Sequence, residues 1–315
     1  MKVLLIGTGY MSTEYAKVLK GLDVDFDVIG RSKEKSDLFQ KKFDINVFSG
    51  GLEFFFKTKN LTEYTHVINS SSVDSLKDTT VFLLKKGVKN ILLEKPGVSN
   101  SNEIESLFEE SKKYKKTNIV LAYNRRFYAS VISAKKIIEE DGGVKSFVFE
   151  FTEWAHLIKQ GDFSKSALEN WFLANSTHVV DTAFYLGGIP KEMNCFSKGR
   201  LDWHPSGSTY TGAGITDSNA LFSYHANWEA PGRWFLELLT SKHRLIFKPF
   251  ESLQIQEIGS VKTEEIDIDY SLEKDFKPGL YKQTKAFLNT DLENFCTLED
   301  QYNMIKNVYN KISGY

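Results

Sequence analysis

The chain has 315 residues, which suits two domains with separate cores better than one. An apolar fraction of 41% beside 26% charged residues is that of an ordinary soluble protein, and a net charge of −1 excludes the broad basic field that nucleic-acid binding needs. Two cysteines exclude a disulfide scaffold, and no apolar run reaches the ~18 residues of a membrane helix, so a cytoplasmic protein with no membrane or nucleic-acid partner is expected.

The first element is a run of four apolar residues, Val3-Leu4-Leu5-Ile6, which reads as a strand buried on both faces of a parallel sheet. Gly7-Thr8-Gly9-Tyr10-Met11-Ser12 follows at once and opens a helical pattern. Strand, glycine turn and helix form the context of a dinucleotide-binding fingerprint. Gly7 allows the tight turn, Gly9 lets backbone approach a pyrophosphate, Thr8, Tyr10 and Met11 complete the loop, and the free N–H groups at the N-terminus of the following helix receive the pyrophosphate. Ser12 stands where the fingerprint has a third small residue, and a plain strand-turn-helix that binds nothing is the alternative.

Residues 24–32 read as the second strand, and Gly30-Arg31-Ser32 form its C-terminal end. A site specific for NAD usually carries an acid about 20 residues after the glycines, to hold the ribose 2′-hydroxyl. Arg31 and Ser32 occupy that place, and an arginine binds a 2′-phosphate by two charge-assisted hydrogen bonds. The expected cofactor is therefore NADP(H), with NAD(H) as the alternative if Arg31 only stacks on adenine; Asp27 lies too far back in the strand to substitute.

Residues 33–62 read as charged helix and connector, and 64–68 as a short strand in which His66 is an ordinary member. The strand ends in Asn69-Ser70-Ser71-Ser72, and Ser70 and Ser71 are expected at the ligand edge of the sheet. A helix over 79–86 precedes a strand at 90–93 that ends in Glu94-Lys95-Pro96-Gly97, so Glu94 and Lys95 are expected at the crevice mouth. A polar helix over 101–116 and a strand over 118–123 complete a doubly wound parallel sheet within residues 1–122.

The pattern then changes. Asn124-Arg125-Arg126-Phe127-Tyr128 opens a helix reaching 138, and residues 144–151, 220–228, 234–239, 243–247 and 254–258 alternate as antiparallel strands do. A helix over 171–186 carries His178 and Asp181, residues 199–214 read as a long loop, and helices close the chain at 281–288 and 298–312. The fold class expected is α/β, a Rossmann domain over 1–122 followed by an α+β domain over 123–315 with a large open, mostly antiparallel sheet, the last helix packing back on the first domain. Trp154, His156 and Trp171 offer a sugar-stacking wall or, for the tryptophans, aromatic core.

In their order, Gly7-Thr8-Gly9, Glu94-Lys95-Pro96, Asn124-Arg125-Arg126-Phe127 and His178-Val179-Val180-Asp181 resemble the Gfo/Idh/MocA oxidoreductases across nearly the whole chain, and the Glu-Lys-Pro element is the most specific part. The resemblance implies a nicotinamide cofactor between the two domains, hydride exchange with a sugar or cyclitol carbon, and Lys95 and His178 as the catalytic pair. Lys95 would stabilise the reacting oxygen, and His178 would move a proton. It also implies that Asp181 orients its helix or the imidazole. The aspartate that many members carry four residues before the histidine is Ala174 here, followed by Asn175, which is able to bond a substrate hydroxyl but not to exchange a proton.

Arg125 and Arg126 are candidates for a substrate phosphate or carboxylate, with Tyr128, Trp154, Asn175, His178 and Asp181 as further substrate contacts; no metal site is expected. The expected substrate is a sugar, phosphorylated sugar or nucleotide-linked sugar. The alternatives are an inositol, free-sugar or dihydrodiol-type dehydrogenase and, from another class, a non-catalytic NAD(P)- or sugar-sensing regulator. An aromatic-rich sheet open on one face is a liability in solvent, and the resemblance implies its burial in a homodimer or homotetramer through the second domain.

Overall fold

The structure, a computed structural model, describes residues 2–59 and 63–314. Residues 60–62, at the end of the segment read as helix and connector, and Met1 and Tyr315 lie outside the described residues. The chain forms two compact units, one comprising residues up to 124 together with 272–302, the other 125–271 together with 303 onward. Among the described residues no helix is long and apolar enough to cross a membrane.

The first unit begins with strand β1 (Lys2–Ile6), whose last four residues are buried, and helix α1 (Tyr10–Gly21). Strand β2 (Asp25–Ile29), helix α2 (Lys33–Phe43), the two-residue strand β3 (Val47–Phe48) and helix α3 (Gly51–Thr58) follow. Ser32 caps α2, its Oγ accepting from the Lys35 amide. Then come β4 (His66–Asn69), α4 (Leu76–Lys85), β5 (Asn90–Leu93), α5 (Glu103–Ser111) and β6 (Asn118–Leu121). The six strands run parallel in the order β6-β5-β4-β1-β2-β3, so strand order reverses between β1 and β4, where a doubly wound sheet binds ligands.

The second unit opens with a short 3₁₀ turn over Asn124–Phe127 and helix α6 (Ala129–Glu140). The single helix expected from 124 is interrupted because Tyr128 is extended, with ψ at 142°. Strand β7 (Ser146–Glu150), the short helix α7 (Lys165–Glu169) and helix α8 (Thr177–Gly187) follow, and a π-helical turn over Phe172–Ser176 leads into α8. The remaining strands are β8 (Pro190–Lys198), β9 (Thr209–Thr216), β10 (Leu221–Asn227), β11 (Phe235–Leu239), β12 (His243–Phe247), β13 (Gln254–Glu257) and β14 (Glu264–Glu265). The sheet runs β14-β13-β12-β11-β7-β10-β9-β8 and is antiparallel except at β7 and β10, which lie parallel.

Two sequence expectations are corrected here. Residues 199–214 are not one long loop, because β9 starts at Thr209, and β8 before it carried no strand reading. β8 is almost wholly exposed, so it shows no apolar alternation, while Gly212 and Gly214 in β9 look like turn residues. Both glycines are sheet residues for a steric reason. A Cβ on Gly214 would come 2.6 Å from Phe222 Cζ, and one on Gly212 would come 2.6 Å from the Asn194 carbonyl and press on the Tyr224 ring. The core beneath the sheet is aromatic, with Phe184 of α8 edge-on to Phe147, Phe149 and Phe222.

The chain ends with helices α9 (Ser271–Asp275) and α10 (Leu280–Leu288), strand β15 (Cys296–Thr297), helices α11 (Leu298–Met304) and α12 (Asn310–Ser313), and a π-helical turn over Ile305–Tyr309 between the last two. In the first unit β15 adds an antiparallel edge to β6 and α10 packs on α1.

Candidate active site

The first unit supplies a nucleotide cradle. Gly7 has φ at +118°, and a Cβ there would sit 2.5 Å from the Ser70 carbonyl and 2.7 Å from Ser12 Oγ, so only glycine fits the close approach of the β1 and β4 ends. Ser12 and Ser70 hydroxyls bond at 2.9 Å, and the Ser70 amide donates to the Ile6 carbonyl at 3.0 Å, which ties the loop to the next strand. Gly9 is the opposite case, since a Cβ on it would meet nothing within 4 Å. Gly9 is also the N-cap of α1 and caps with no side chain, and the first turn holds no acid, so the first-turn amides have no side-chain cap and carry the positive end of the helix dipole. Thr8 is half-buried beside them. This loop fits a bound pyrophosphate.

At the end of β2, Arg31 is exposed and donates from Nη2 to Ser72 Oγ at 3.3 Å. Ser32 is committed to its helix cap, and Ser71 Oγ donates to Asn69 Oδ1 at 2.8 Å. Asp27 takes the Tyr64 hydroxyl at 2.5 Å and Lys2 Nζ at 3.0 Å, a bracing role inside the sheet.

At the end of β5, the turn Glu94-Lys95-Pro96 contains a cis Lys95–Pro96 bond. Both flanks of Lys95 are fixed by residues the sequence did not mark. Tyr15 Oη donates to Glu94 Oε1 at 2.7 Å, and Gln301 Nε2 donates to the Pro96 carbonyl at 2.9 Å while its Oε1 accepts from Tyr123. Burial raises the Glu94 carboxyl above its ordinary range, against the opposing pull of Tyr15 and the charges of Lys95 and Lys277. Lys95 itself is half-exposed on this braced turn.

The second unit gathers a different set. His178 sits in α8, 8% exposed, with its ring centroid 6.5 Å from that of Trp234. Trp234 also lies under the guanidinium of Arg125 at 4.7 Å and that of Arg233 at 4.6 Å. Arg233 packs on Trp154 as well, at 4.7 Å, and Trp154 donates its indole N–H to the Gly232 carbonyl at 2.9 Å. Arg125 lies 5.7 Å from the Tyr128 ring. Beneath this stack is Glu153, whose Oε1 accepts from Asn175 Nδ2 at 2.9 Å and Ser176 Oγ at 2.7 Å, and whose Oε2 faces Arg233 at 3.6 Å. Burial raises the Glu153 carboxyl, with its hydroxyl and amide donors and the Arg233 and Arg125 charges opposing.

So the structure brings Arg125, Tyr128, Trp154, Asn175 and His178 into one neighbourhood and adds Glu153, Arg233 and Trp234. Arg126 and Asp181 instead engage each other. Nε and Nη2 of the arginine meet the two carboxylate oxygens at 2.9 and 2.6 Å, and Asp181 is 1% exposed. That bidentate pair clamps the segment before α6 to α8. Trp171 is core, edge-on to Phe163 and Trp203, and His156 is exposed on a separate 3₁₀ turn over Ala155–Leu157.

Residues 1–122 match the family model described as an oxidoreductase family with an NAD-binding Rossmann fold, GFO_IDH_MocA. These residues form a Rossmann domain of the Gfo/Idh/MocA type. Levoglucosan dehydrogenase in complex with NADH and levoglucosan shares the fold at TM-score 0.78 and 17% identity, over 100% of this chain and 96% of that one. UDP-N-acetylglucosamine 3-dehydrogenase from Acidithiobacillus ferrooxidans does so at 0.75 and 12%, over 99% and 96%. A putative NADPH-dependent oxidoreductase from Desulfitobacterium hafniense follows at 0.77 and 15%, over 99% and 94%. At these identities the likeness is one of fold. Comparison with curated proteins gives no match.

Proposed function

We propose that the protein is an NAD(P)-dependent oxidoreductase acting on a hydroxyl-bearing or keto-bearing carbon of a sugar or nucleotide-linked sugar, with NADP(H) preferred. The observation that carries this reading is the braced Glu94-Lys95-Pro96 turn at the ligand edge of an NAD-binding sheet. A bound nicotinamide supplies or accepts the hydride. The chain's own residues divide the remaining work. Gly7, Gly9 and the amides of α1 bind the phosphates, and Arg31 meets a 2′-phosphate. Lys95 donates to the substrate oxygen and stabilises its negative charge as it develops. His178 gives or takes the proton at that oxygen, and Glu153, beside Asn175 and Ser176, holds the turn leading into α8 in place.

The substrate class draws support from the indole and guanidinium surfaces of Trp154, Arg233 and Arg125, which suit a hydroxylated ring carrying negative charge. It also draws support from the sugar and nucleotide-sugar dehydrogenases among proteins of this fold. The test is turnover of NADP(H) and NAD(H) across a panel including levoglucosan and UDP-N-acetylglucosamine, with wild type and Lys95→Ala. Turnover should fall by about 10²–10⁴-fold in the variant while dinucleotide affinity survives. Undiminished turnover in Lys95→Ala would remove Lys95 from the chemistry.

A further inference from the structure

The segment that leads back into the first unit carries a lysine with no counterpart in the fingerprint. Lys277 Nζ stands 5.4 Å from the ring centroid of Tyr10, the first residue of α1, and its charge acts on Glu94 at the end of β5. The root of the side chain is held on both sides. The Phe276 ring closes on Gly21 so tightly that a Cβ there would come 2.7 Å from its Cζ, and the Pro278 carbonyl accepts from Asn124 Nδ2 at 2.9 Å. Gly279, with φ at +73°, then starts α10, which packs along α1.

Three other cations near α1 are engaged. Lys17 pairs with Glu14 at 2.8 Å, Lys20 donates to the Phe43 carbonyl, and Lys2 pairs with Asp27. The loop Gly7-Thr8-Gly9-Tyr10-Met11-Ser12 contains no cation. A dinucleotide lays two negative phosphates on that loop, and uncapped helix amides offset them only in part.

We infer that Lys277 is a further cofactor-binding residue, one that swings from the face of Tyr10 to the pyrophosphate of the bound dinucleotide. The inference rests on the nucleotide reading of the α1 loop and adds to it a charge that arrives from 267 residues further along the chain than Tyr10. A pyrophosphate contact is blind to the 2′ position. Lys277 therefore contributes equally to NADH and NADPH, whereas Arg31 separates them.

The experiment is titration of the full chain with NADH, NADPH, ADP-ribose and adenosine at two salt concentrations, comparing wild type, Lys277→Gln, Lys277→Met and Lys277→Arg. Both neutral variants should weaken NADH, NADPH and ADP-ribose by a common factor of about ten, leave adenosine unchanged and lower the salt dependence of binding. Lys277→Arg should restore most of the loss. Neutral variants that bind all three within twofold of wild type, with the same salt dependence, would overturn the role of Lys277 and leave the nucleotide reading intact. Wild type binding none of the three would overturn both.

Discussion

Glu153 and Asp141, two buried carboxylates of the second unit, are moved in opposite directions by their surroundings. At Glu153 burial outweighs the donors Asn175 and Ser176 and the nearby arginines, so the proton is held more tightly than usual. At Asp141 the donors outweigh burial. His243 Nδ1 donates at 2.7 Å, the Thr240 hydroxyl also at 2.7 Å, and Lys242 lies at 3.4 Å, which holds the carboxyl below its ordinary value. A carboxyl lowered by folding contributes stability that is complete above its unfolded value and is lost as pH falls through the folded one. Asp141→Asn should therefore be less stable than wild type by about 1–3 kcal/mol near neutrality, and the gap should close below the ordinary aspartate range. Chemical unfolding from pH 7 to pH 3 checks this, and a gap constant across that range would contradict it. At this scale the sequence was legible where chemistry is local. Gly7 and Gly9 follow a buried strand, and Lys95 sits between an acid and a proline. Glu153, Arg233 and Lys277 were not legible, because a single charged residue in one sequence reads as a solvated surface group until tertiary contacts gather its partners.

At the scale of elements, β1, β2, β4, β5 and β6 were readable because buried parallel strands are unbroken apolar runs separated by glycine and charge, whereas β3 and α3, read as connector, were not, because β3 is two half-buried residues. The exposed pair β8 and β9 lacks that signal, and its glycines are explained by the rings of Phe222 and Tyr224 lying across them and by the Asn194 and Glu192 carbonyls of β8 beside them. Gly214→Val should lower stability by about 1–3 kcal/mol through overpacking against the Glu192 carbonyl of β8 and the Phe222 ring. Thermal unfolding reads the loss, and an unchanged melting temperature would mean the β9 backbone has room to shift. The helix over 171–186 was legible as a helix but not as one that begins with a π turn. Its wider coil places Asn175 and Ser176 side by side on Glu153 Oε1.

At the scale of the whole molecule, residues 272–302 belong to the first unit although they lie in sequence between the two segments of the second, 125–271 and 303 onward. Hydrophobic periodicity gives the existence of α10 but not its partner, so neither Gln301 on Pro96 nor Lys277 at Tyr10 was readable. One face of the second sheet leaves Leu221 60% and Leu239 36% exposed, while the other face buries Phe222 and Tyr224. Exposed leucines on an open sheet face favour association, and we predict a dimer or tetramer through it. Sedimentation at micromolar concentration checks this, and a clean monomer would contradict it.

The α1 loop and Arg31 are proposed to bind a phosphorylated dinucleotide. Nicotinamide-fluorescence titration of NADPH and NADH into wild type and Arg31→Ala tests it most directly. NADPH should bind more tightly than NADH, and the substitution should erase that difference while leaving NADH unaffected. Binding of neither dinucleotide would contradict the oxidoreductase reading itself, and NADH binding as tight as NADPH in the wild type would contradict the role given to Arg31.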